Sequence, residues 1–227
     1  MRGEIAVMPE ETVVKKNRRN RFLYIQAAIY GLGAYIAAFC MFKAFTYRPE
    51  VTGGLSFLLG IGRVLAFMIL PVLAVMNIVA VLLNIKADRY CFLKAAMLAK
   101  YIMIPFFIIG GIFVLAADLL FFIPIPGVNF IGPFLGMCLS VAGYITFLLP
   151  IPFMIAFIVK SVKEKSYPVW TVIFLSAAQL FFFADVLSVM ILSFKEKQWR
   201  KVTIGALVLT VVTVVYVILY PTLHNNL

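Results

Sequence analysis

Long apolar stretches with almost no charge dominate the chain and restrict it to one kind of fold. They cover residues 22–42, 64–85, 101–123, 134–159, 169–193 and 202–220. Each reaches about the 20 residues that an α-helix needs to cross the hydrocarbon core of a bilayer. Backbone groups in lipid must pair within their own segment, which a helix achieves, and the runs do not alternate as membrane β-strands do. The sequence therefore predicts an all-α, polytopic transmembrane helical bundle with six spans.

The composition supports lipid rather than water as the solvent. Hydrophobic residues make up 64% of the 227-residue chain, whereas soluble domains are about 45–50% apolar. The net charge of +11 would suggest nucleic acid in a soluble protein, but basic residues also collect in the cytoplasmic loops of membrane proteins. We therefore expect the lipid bilayer as the main partner and no nucleic acid.

The polar ends of the chain suggest its location and domain organisation. Residues 1–21 form a basic tail that ends in the segment KKNRRNR at 15–21. Such a segment favours the cytoplasmic side and anionic lipids. Residues 22–220 are expected to form one transmembrane domain, followed by a short tail at 221–227. The first run has no small-residue cleavage site after it, so we expect an uncleaved anchor in a bacterial-type plasma membrane, with the N-terminus in the cytoplasm.

The loop at 194–201 conflicts with this orientation of six spans. Six spans place 13 Lys and Arg residues inside and seven outside, and this single loop holds four of the seven. The basic residues normally favour the inside. An alternative has five spans and makes 169–193 a re-entrant or interfacial helix, which puts both of its flanking loops inside. The 25-residue length of this run favours six spans.

Three charged residues lie in or beside the predicted spans. Asp185 lies inside 169–193, Asp118 lies near the end of 101–123, and Arg63 directly precedes 64–85. A charge at the centre of a membrane helix costs roughly 2.5–3.5 kcal/mol, and six spans place all three toward the outer side. We therefore expect Arg63 to pair with Asp118 or Asp185. The cluster is either an ion pair that fixes helix packing or a binding or proton-relay site that faces a cavity.

Two further patterns predict which helix faces point into the bundle. One face of 169–193 carries small and polar residues, and amides elsewhere can add hydrogen bonds to it. The face consists of Thr171, Ala178, Asp185 and Ser188, and the amides are Asn77, Asn84 and Gln179. The first span carries a stripe of small residues, Ala27, Gly31, Ala34 and Ala38. The stripe predicts close helix packing inside the bundle or docking to a partner membrane protein.

The stripe also carries a resemblance to a known class of protein. Its step Ala34-x-x-x-Ala38 in an early helix resembles the docking steps of the substrate-binding subunits of energy-coupling-factor vitamin transporters. Those subunits are also small, basic six-helix proteins. The resemblance covers this stripe and the general architecture, and it implies solute binding and docking to a partner membrane protein.

Motifs for catalysis, cofactors and metals are missing from the sequence. It contains no nucleophile elbow, P-loop or zinc-protease motif, and its one histidine, His224, lies near the chain end. We therefore expect neither an enzyme nor a cofactor or metal site. The leading hypothesis is a small-solute transporter or membrane-embedded substrate-binding component. The alternative is a non-transporting assembly, immunity or regulatory subunit of a membrane complex.

Overall fold

The computed structural model describes the backbone of residues 10–46, 54–125 and 127–224, and the side chains of 20–40, 68–125, 127–181, 184–216 and 219. Within these ranges the chain forms α-helices joined by short loops, one 3-10 helix at Leu120–Phe122, and no strand. The helices are α1 (Glu10–Thr46), α2 (Gly54–Leu83), α3 (Arg89–Leu119), α4 (Val128–Leu148), α5 (Ile151–Lys163), α6 (Val169–Ala178), α7 (Phe182–Lys195) and α8 (Arg200–His224). The predicted all-α class is therefore confirmed.

Among the described residues, three helical segments are long and apolar enough to cross a membrane, namely Asn20–Cys40, Arg89–Phe122 and Val128–Lys163. Two shorter apolar helices, Met68–Leu83 and Val169–Ala178, accompany them. The predicted span 134–159 corresponds to α4 and α5, which follow each other across Pro150. A proline removes one backbone donor and disturbs the helix there. The predicted tail at 1–21 is helical from Glu10 onward, and residues 1–9 and 225–227 lie outside the described range.

Three of the four residues in the small-residue stripe of α1 lie inside the bundle, and the fourth, Ala38, is half-buried. Ala27 and Ala34 are buried, and Gly31 is buried against Ile102 of α3. An ideal Cβ on Gly31 would lie 2.5 Å from Ile102 Cγ2, so only glycine allows this approach of the two helices. The structure thus supports the packing interpretation of the stripe, because Ala34 is too buried to meet a partner protein without rearrangement.

The segment 169–193 does not form the continuous span that the sequence predicted. Helix α6 ends at Ala178 and α7 begins at Phe182. Tyr167, just before α6, donates a hydrogen bond to Glu196, just after α7, and Lys195 Nζ lies 4.4 Å from the centre of the Tyr167 ring. A straight helix of this length would separate these residues by about 40 Å. The segment therefore folds back on itself, and we call α6, α7 and their connection the hairpin.

Both ends of the hairpin lie beside the start of α3. Arg89 Nε lies 3.2 Å from a Glu164 carboxylate oxygen, and Arg89 Nη2 lies 3.4 Å from a Glu196 carboxylate oxygen. These contacts bring together the loops 84–88, 164–168 and 196–199. We call this end of the bundle the base. The ring of Tyr24 in α1, 5.8 Å from the ring of Trp199, places the beginning of the first predicted span at the base as well.

Helices α5 and α7 end at the base in the same way. Lys165 and Lys197 have φ of +51° and +56°, the left-handed conformation that usually falls to glycine after a helix. In each case the backbone N–H of the following residue donates a hydrogen bond to a carbonyl in the last turn of the helix. Ser166 N–H donates to Ser161 O at 2.9 Å, and Gln198 N–H donates to Ser193 O at 3.0 Å. These bonds satisfy carbonyls that the helix end leaves free. The sequence Lys-Glu-Lys thus appears twice, at 163–165 and 195–197, and each copy turns its glutamate toward Arg89.

The Gly31 contact can be tested by stability. Gly31→Ala should lower the free energy of unfolding by about 1–3 kcal/mol, because the new methyl group forces Ile102 and its helix away. Gly110→Ala is the matched control, since nothing lies within 4 Å of a Cβ at Gly110. It should leave stability unchanged or raise it by up to about 1 kcal/mol. Thermal unfolding in detergent measures both, and equal effects at the two sites would contradict this packing.

The hairpin predicts which loops share a side of the membrane. Single cysteines at Lys165 and Lys197, in a background that lacks the three native cysteines, should react together with an impermeant maleimide from the same side. Ile125, in the connection at the other end of α3, should react only from the opposite side. Reaction of position 197 together with position 125, and not with position 165, would show that 169–193 crosses the membrane.

Candidate functional site

A lysine lies buried in the middle of the bundle. Lys100 belongs to α3 and its side chain is 3% exposed. The predicted third span begins at residue 101, which leaves Lys100 among the 13 basic residues expected on the inner side. That placement was wrong, because α3 begins at Arg89. Eleven residues separate Lys100 from this helix start, which places it about 16 Å from the base.

The hairpin supplies the partners of this lysine. Lys100 Nζ donates a hydrogen bond to Asp185 Oδ1 and forms an ion pair with that carboxylate. A second hydrogen bond runs from Lys100 Nζ to Gln179 Oε1 at 2.8 Å. Asp185 is 0% exposed and Gln179 is 3% exposed. Two opposite charges and an amide thus meet where water is excluded, and each charge is compensated by the other.

The three residues reach the same depth along three different helices. Lys100 is eleven residues from the start of α3, Gln179 ten residues from the start of α6, and Asp185 ten residues from the end of α7. At 1.5 Å per residue each lies about 15 Å from the base. The hydrocarbon core of a bilayer is about 30 Å thick. The pair would therefore lie near the midplane of a membrane that begins at the base.

The break in the hairpin matches the signs of the two charges. Gln179 follows the last residue of α6, so the Lys100 ammonium lies at a helix C-terminus. Asp185 lies in the first turn of α7. The helix dipole favours a cation at a C-terminus and an anion near an N-terminus. One carbonyl of the turn, Leu180 O, accepts a hydrogen bond from Tyr144 in α4 at 3.3 Å.

A small cavity adjoins the ion pair. Its volume is about 10 Å³, close to the minimum that holds one water molecule. Apolar and aromatic side chains form most of its wall, together with the two charged groups: Tyr30, Lys100, Met103, Phe107, Phe147, Pro150, Asp185 and Val186. Among the described residues, Asp185 Oδ2 is a buried oxygen without a hydrogen-bond partner. A single small polar guest could supply the missing bond.

Of the other two sequence candidates, Asp118 lies far from this pair. Asp118 lies 18 residues beyond Lys100 in α3, about 27 Å along the helix. Its carboxylate is exposed and lies against Gly136 of α4. Asp118 and Asp185 are therefore far apart, and the expected pairing of Arg63 with one of them stays a prediction. Arg63 belongs to α2, but its side chain lies outside the described residues.

The small and polar face predicted for 169–193 points inward although the segment is a hairpin. Ala178, Asp185 and Ser188 are buried and Thr171 is half-buried. Gln179 joins this face as expected. Two other amides act elsewhere. Asn77 accepts a hydrogen bond from Gln26 at 3.1 Å and donates one to Leu149 O at 3.0 Å, whereas Asn84 bonds within α2 to Ala80 O at 2.8 Å.

A second polar cluster closes the base. Arg89 lies between Glu164 and Glu196 and also donates to the Tyr90 hydroxyl at 2.8 Å. Burial, followed by the hydrogen bond to Glu196, raises the pKa of Tyr167. No group of three His, Cys, Asp or Glu residues converges in the part of the chain that the structure describes.

Sequence reasoning missed Lys100 because it lies close to true loop cations. The sequence around Lys100, AAMLAKYIMIP at 95–105, contains no other charge, and this indicates a buried position. A lone lysine and a lone aspartate in two apolar runs are candidates for pairing. Their separation of 85 residues gives no local clue to the contact.

Comparison with known proteins gives one match. Residues 21–198 match the Family of unknown function (DUF6652). No curated protein and no solved structure matches the chain. The matched range contains both members of the ion pair and the whole hairpin, and it ends just before α8.

Substitution of the pair should show a strong coupling between its two members. Lys100→Met or Asp185→Leu alone should lower the free energy of unfolding by about 3–5 kcal/mol, because each leaves a buried charge unpaired. The double variant should recover most of this loss, since two apolar side chains can replace a buried pair. Thermal unfolding of the wild type, the two single variants and the double variant in detergent gives the double-mutant cycle. Lys94→Met, on the half-buried side of the same helix, should change little, and additive effects of the two single changes would disprove the coupling.

Proposed function

The chain belongs to this family of unknown function, and we propose that it is a multi-pass membrane protein that binds a small solute at the Lys100–Asp185 pair and moves it across the bilayer. The observation that carries the proposal is a buried pair of opposite charges at the tip of a broken helical segment. Ionisable residues deep in a membrane are expensive, and they commonly mark solute or ion pathways.

Packing alone explains the pair less well than binding does. Well-packed apolar residues in place of a buried ion pair are often neutral or stabilising by about 1–4 kcal/mol. Lys100 and Asp185 therefore add little that leucine or methionine could not add to stability. In secondary transporters, by contrast, binding sites lie near the bilayer midplane and are formed by discontinuous helices whose ends face the bound ions. The hairpin and its depth agree with that arrangement.

The proposed topology has five full spans and one re-entrant hairpin. The spans are α1, α2, α3, α4 with α5, and α8, and the base faces the cytoplasm. The cytoplasmic side then holds 16 of the 20 Lys and Arg residues, Lys100 lies inside the bundle, and Lys43, Arg48 and Arg63 lie outside. This distribution follows the positive-inside rule more closely than six spans do. The N-terminus lies in the cytoplasm, the C-terminus lies outside, and the bacterial inner membrane is the proposed location.

The described structure corresponds to a closed form of such a protein. The cavity of about 10 Å³ beside the pair has no room for an organic solute, so the hairpin must shift when a solute enters. Its two ends are held by the same Arg89 contacts at the base. Release of these contacts, together with the hydrogen bonds from Tyr144 to Leu180 O and between Ser193 and Thr203, would let the hairpin shift and separate Asp185 from Lys100, which lies on α3.

The small cavity is also the observation that favours a second candidate function. A non-transporting regulatory or assembly subunit needs no solute site, and in that case the ion pair would fix the hairpin against α3. This alternative predicts stable co-purification with another membrane protein. It also predicts that removal of both charges has no effect beyond stability.

Solute screening in lipid nanodiscs separates the two functions. A solute that binds should raise the melting temperature of the wild-type protein, because it binds only the folded state. The double variant Lys100→Met/Asp185→Leu should keep the fold and lose this shift. Asp118→Asn, which removes an exposed carboxylate far from the pair, should keep it. An unchanged shift in the double variant, or a copurifying membrane protein with no solute that binds, would reject the transport proposal.

A further inference from the structure

We propose that the solute belongs to the class of small protonated amines, and that the Lys100 ammonium occupies the site in its absence. This inference rests on the proposed function and names the chemistry of the same site. The structure shows a site that already holds a primary ammonium group, the end of the Lys100 side chain. A free ammonium or methylammonium ion presents the same charge and the same N–H donors.

On the carboxylate side of the pair, an acceptor is left without a partner. A primary ammonium has three donors, and Lys100 directs two of them to Gln179 Oε1 and Asp185 Oδ1. Asp185 Oδ2 has no hydrogen-bond partner among the described residues although Asp185 is 0% exposed. Asp185 Oδ2 can therefore accept a hydrogen bond from a bound donor, and a cationic donor forms the stronger hydrogen bond with a carboxylate. An anionic solute would meet this oxygen with repulsion.

The wall of the cavity favours an organic cation over a metal ion. Tyr30, Phe107 and Phe147 line it beside the carboxylate, and the rings of Phe107 and Phe147 lie edge to face at 6.2 Å. Aromatic faces attract ammonium cations. Hard metal ions such as Ca²⁺ require about six or more oxygen ligands. The pair region supplies the oxygens of Gln179 and Asp185, which suffice for a hydrogen-bonding cation.

The electrostatics allow one cation at a time. One buried carboxylate balances one positive charge, and a second cation beside Lys100 would remain uncompensated at a cost of several kcal/mol. The α6 C-terminus adds only a partial negative charge. The solute must therefore displace the Lys100 ammonium from Asp185, and the lysine must leave the buried site or lose its proton. Such competition lowers the apparent affinity of the wild-type site by the fraction of molecules in which lysine has left.

Removal of the lysine provides the test. In nanodiscs, methylammonium chloride should raise the melting temperature of Lys100→Ala, which lacks the competing amine, with an apparent Kd at least about tenfold lower than for the wild type. Sodium and potassium chloride at the same ionic strength should not do so. The double variant Lys100→Ala/Asp185→Asn should lose the methylammonium shift, because it lacks the carboxylate.

Uptake of radiolabelled methylammonium into proteoliposomes decides the question on the wild-type protein, even if Lys100→Ala does not fold. Uptake above protein-free liposomes that is lost in Lys100→Met/Asp185→Leu supports the proposal. Absence of such uptake, or an equal response of Lys100→Ala to sodium and methylammonium, overturns it. If another solute gives a shift that depends on the pair while methylammonium does not, only the solute class is wrong. If no solute does, the transport proposal fails as well.

Discussion

The ion pair between Lys100 and Asp185 is the interaction on which the arrangement of this bundle depends. Both charges are buried, and either alone would cost several kcal/mol in such surroundings. The pair can form because the hairpin turns back at the depth of Lys100. A continuous helix through 169–193 would place Glu196 at the end of the bundle opposite Arg89, so the contact between them could not form. The turn also exposes one helix end to each charge, and the dipoles favour the observed signs. The turn of the hairpin thus brings the two charges together and also places a favourable helix end beside each of them.

The base performs a complementary task at the other end of the hairpin. Arg89 contacts a glutamate from each of the two Lys-Glu-Lys segments, and each segment ends its helix with a lysine in the left-handed conformation. Glycine adopts this conformation without strain and is the usual residue there. In the proposed topology, lysine at both positions also keeps positive charge on the cytoplasmic side. The same short segment therefore terminates a helix and anchors the hairpin to α3.

Much of this fold could be predicted from the sequence, because lipid leaves few options to an apolar chain. The helical class, the approximate positions of most helices, the buried stripe in α1 and the inward face of Asp185 all follow from composition and periodicity. The hairpin was harder to predict, since a run of 25 residues with one charge has the length of a full span. The excess of basic residues at 194–201 was the signal against it. The partner of Asp185 could not be predicted, because a contact between residues 85 positions apart depends on how helices pack, and Lys100 lay among loop cations.

The energetics of the pair also determine how a solute site of this kind would operate. Separation of Lys100 from Asp185 without replacement leaves two unpaired charges near the midplane, which costs more than thermal motion supplies. A solute changes the balance only if it binds the separated form better than the paired form. A cation that takes the place of the lysine ammonium restores the neutrality of the carboxylate, and the condition is met once the displaced lysine reaches water or loses its proton. Opening without a solute would then be rare, and the closed cavity of about 10 Å³ is the state expected of the empty protein. In this scheme the Lys100 ammonium occupies the site until a cationic solute replaces it at Asp185.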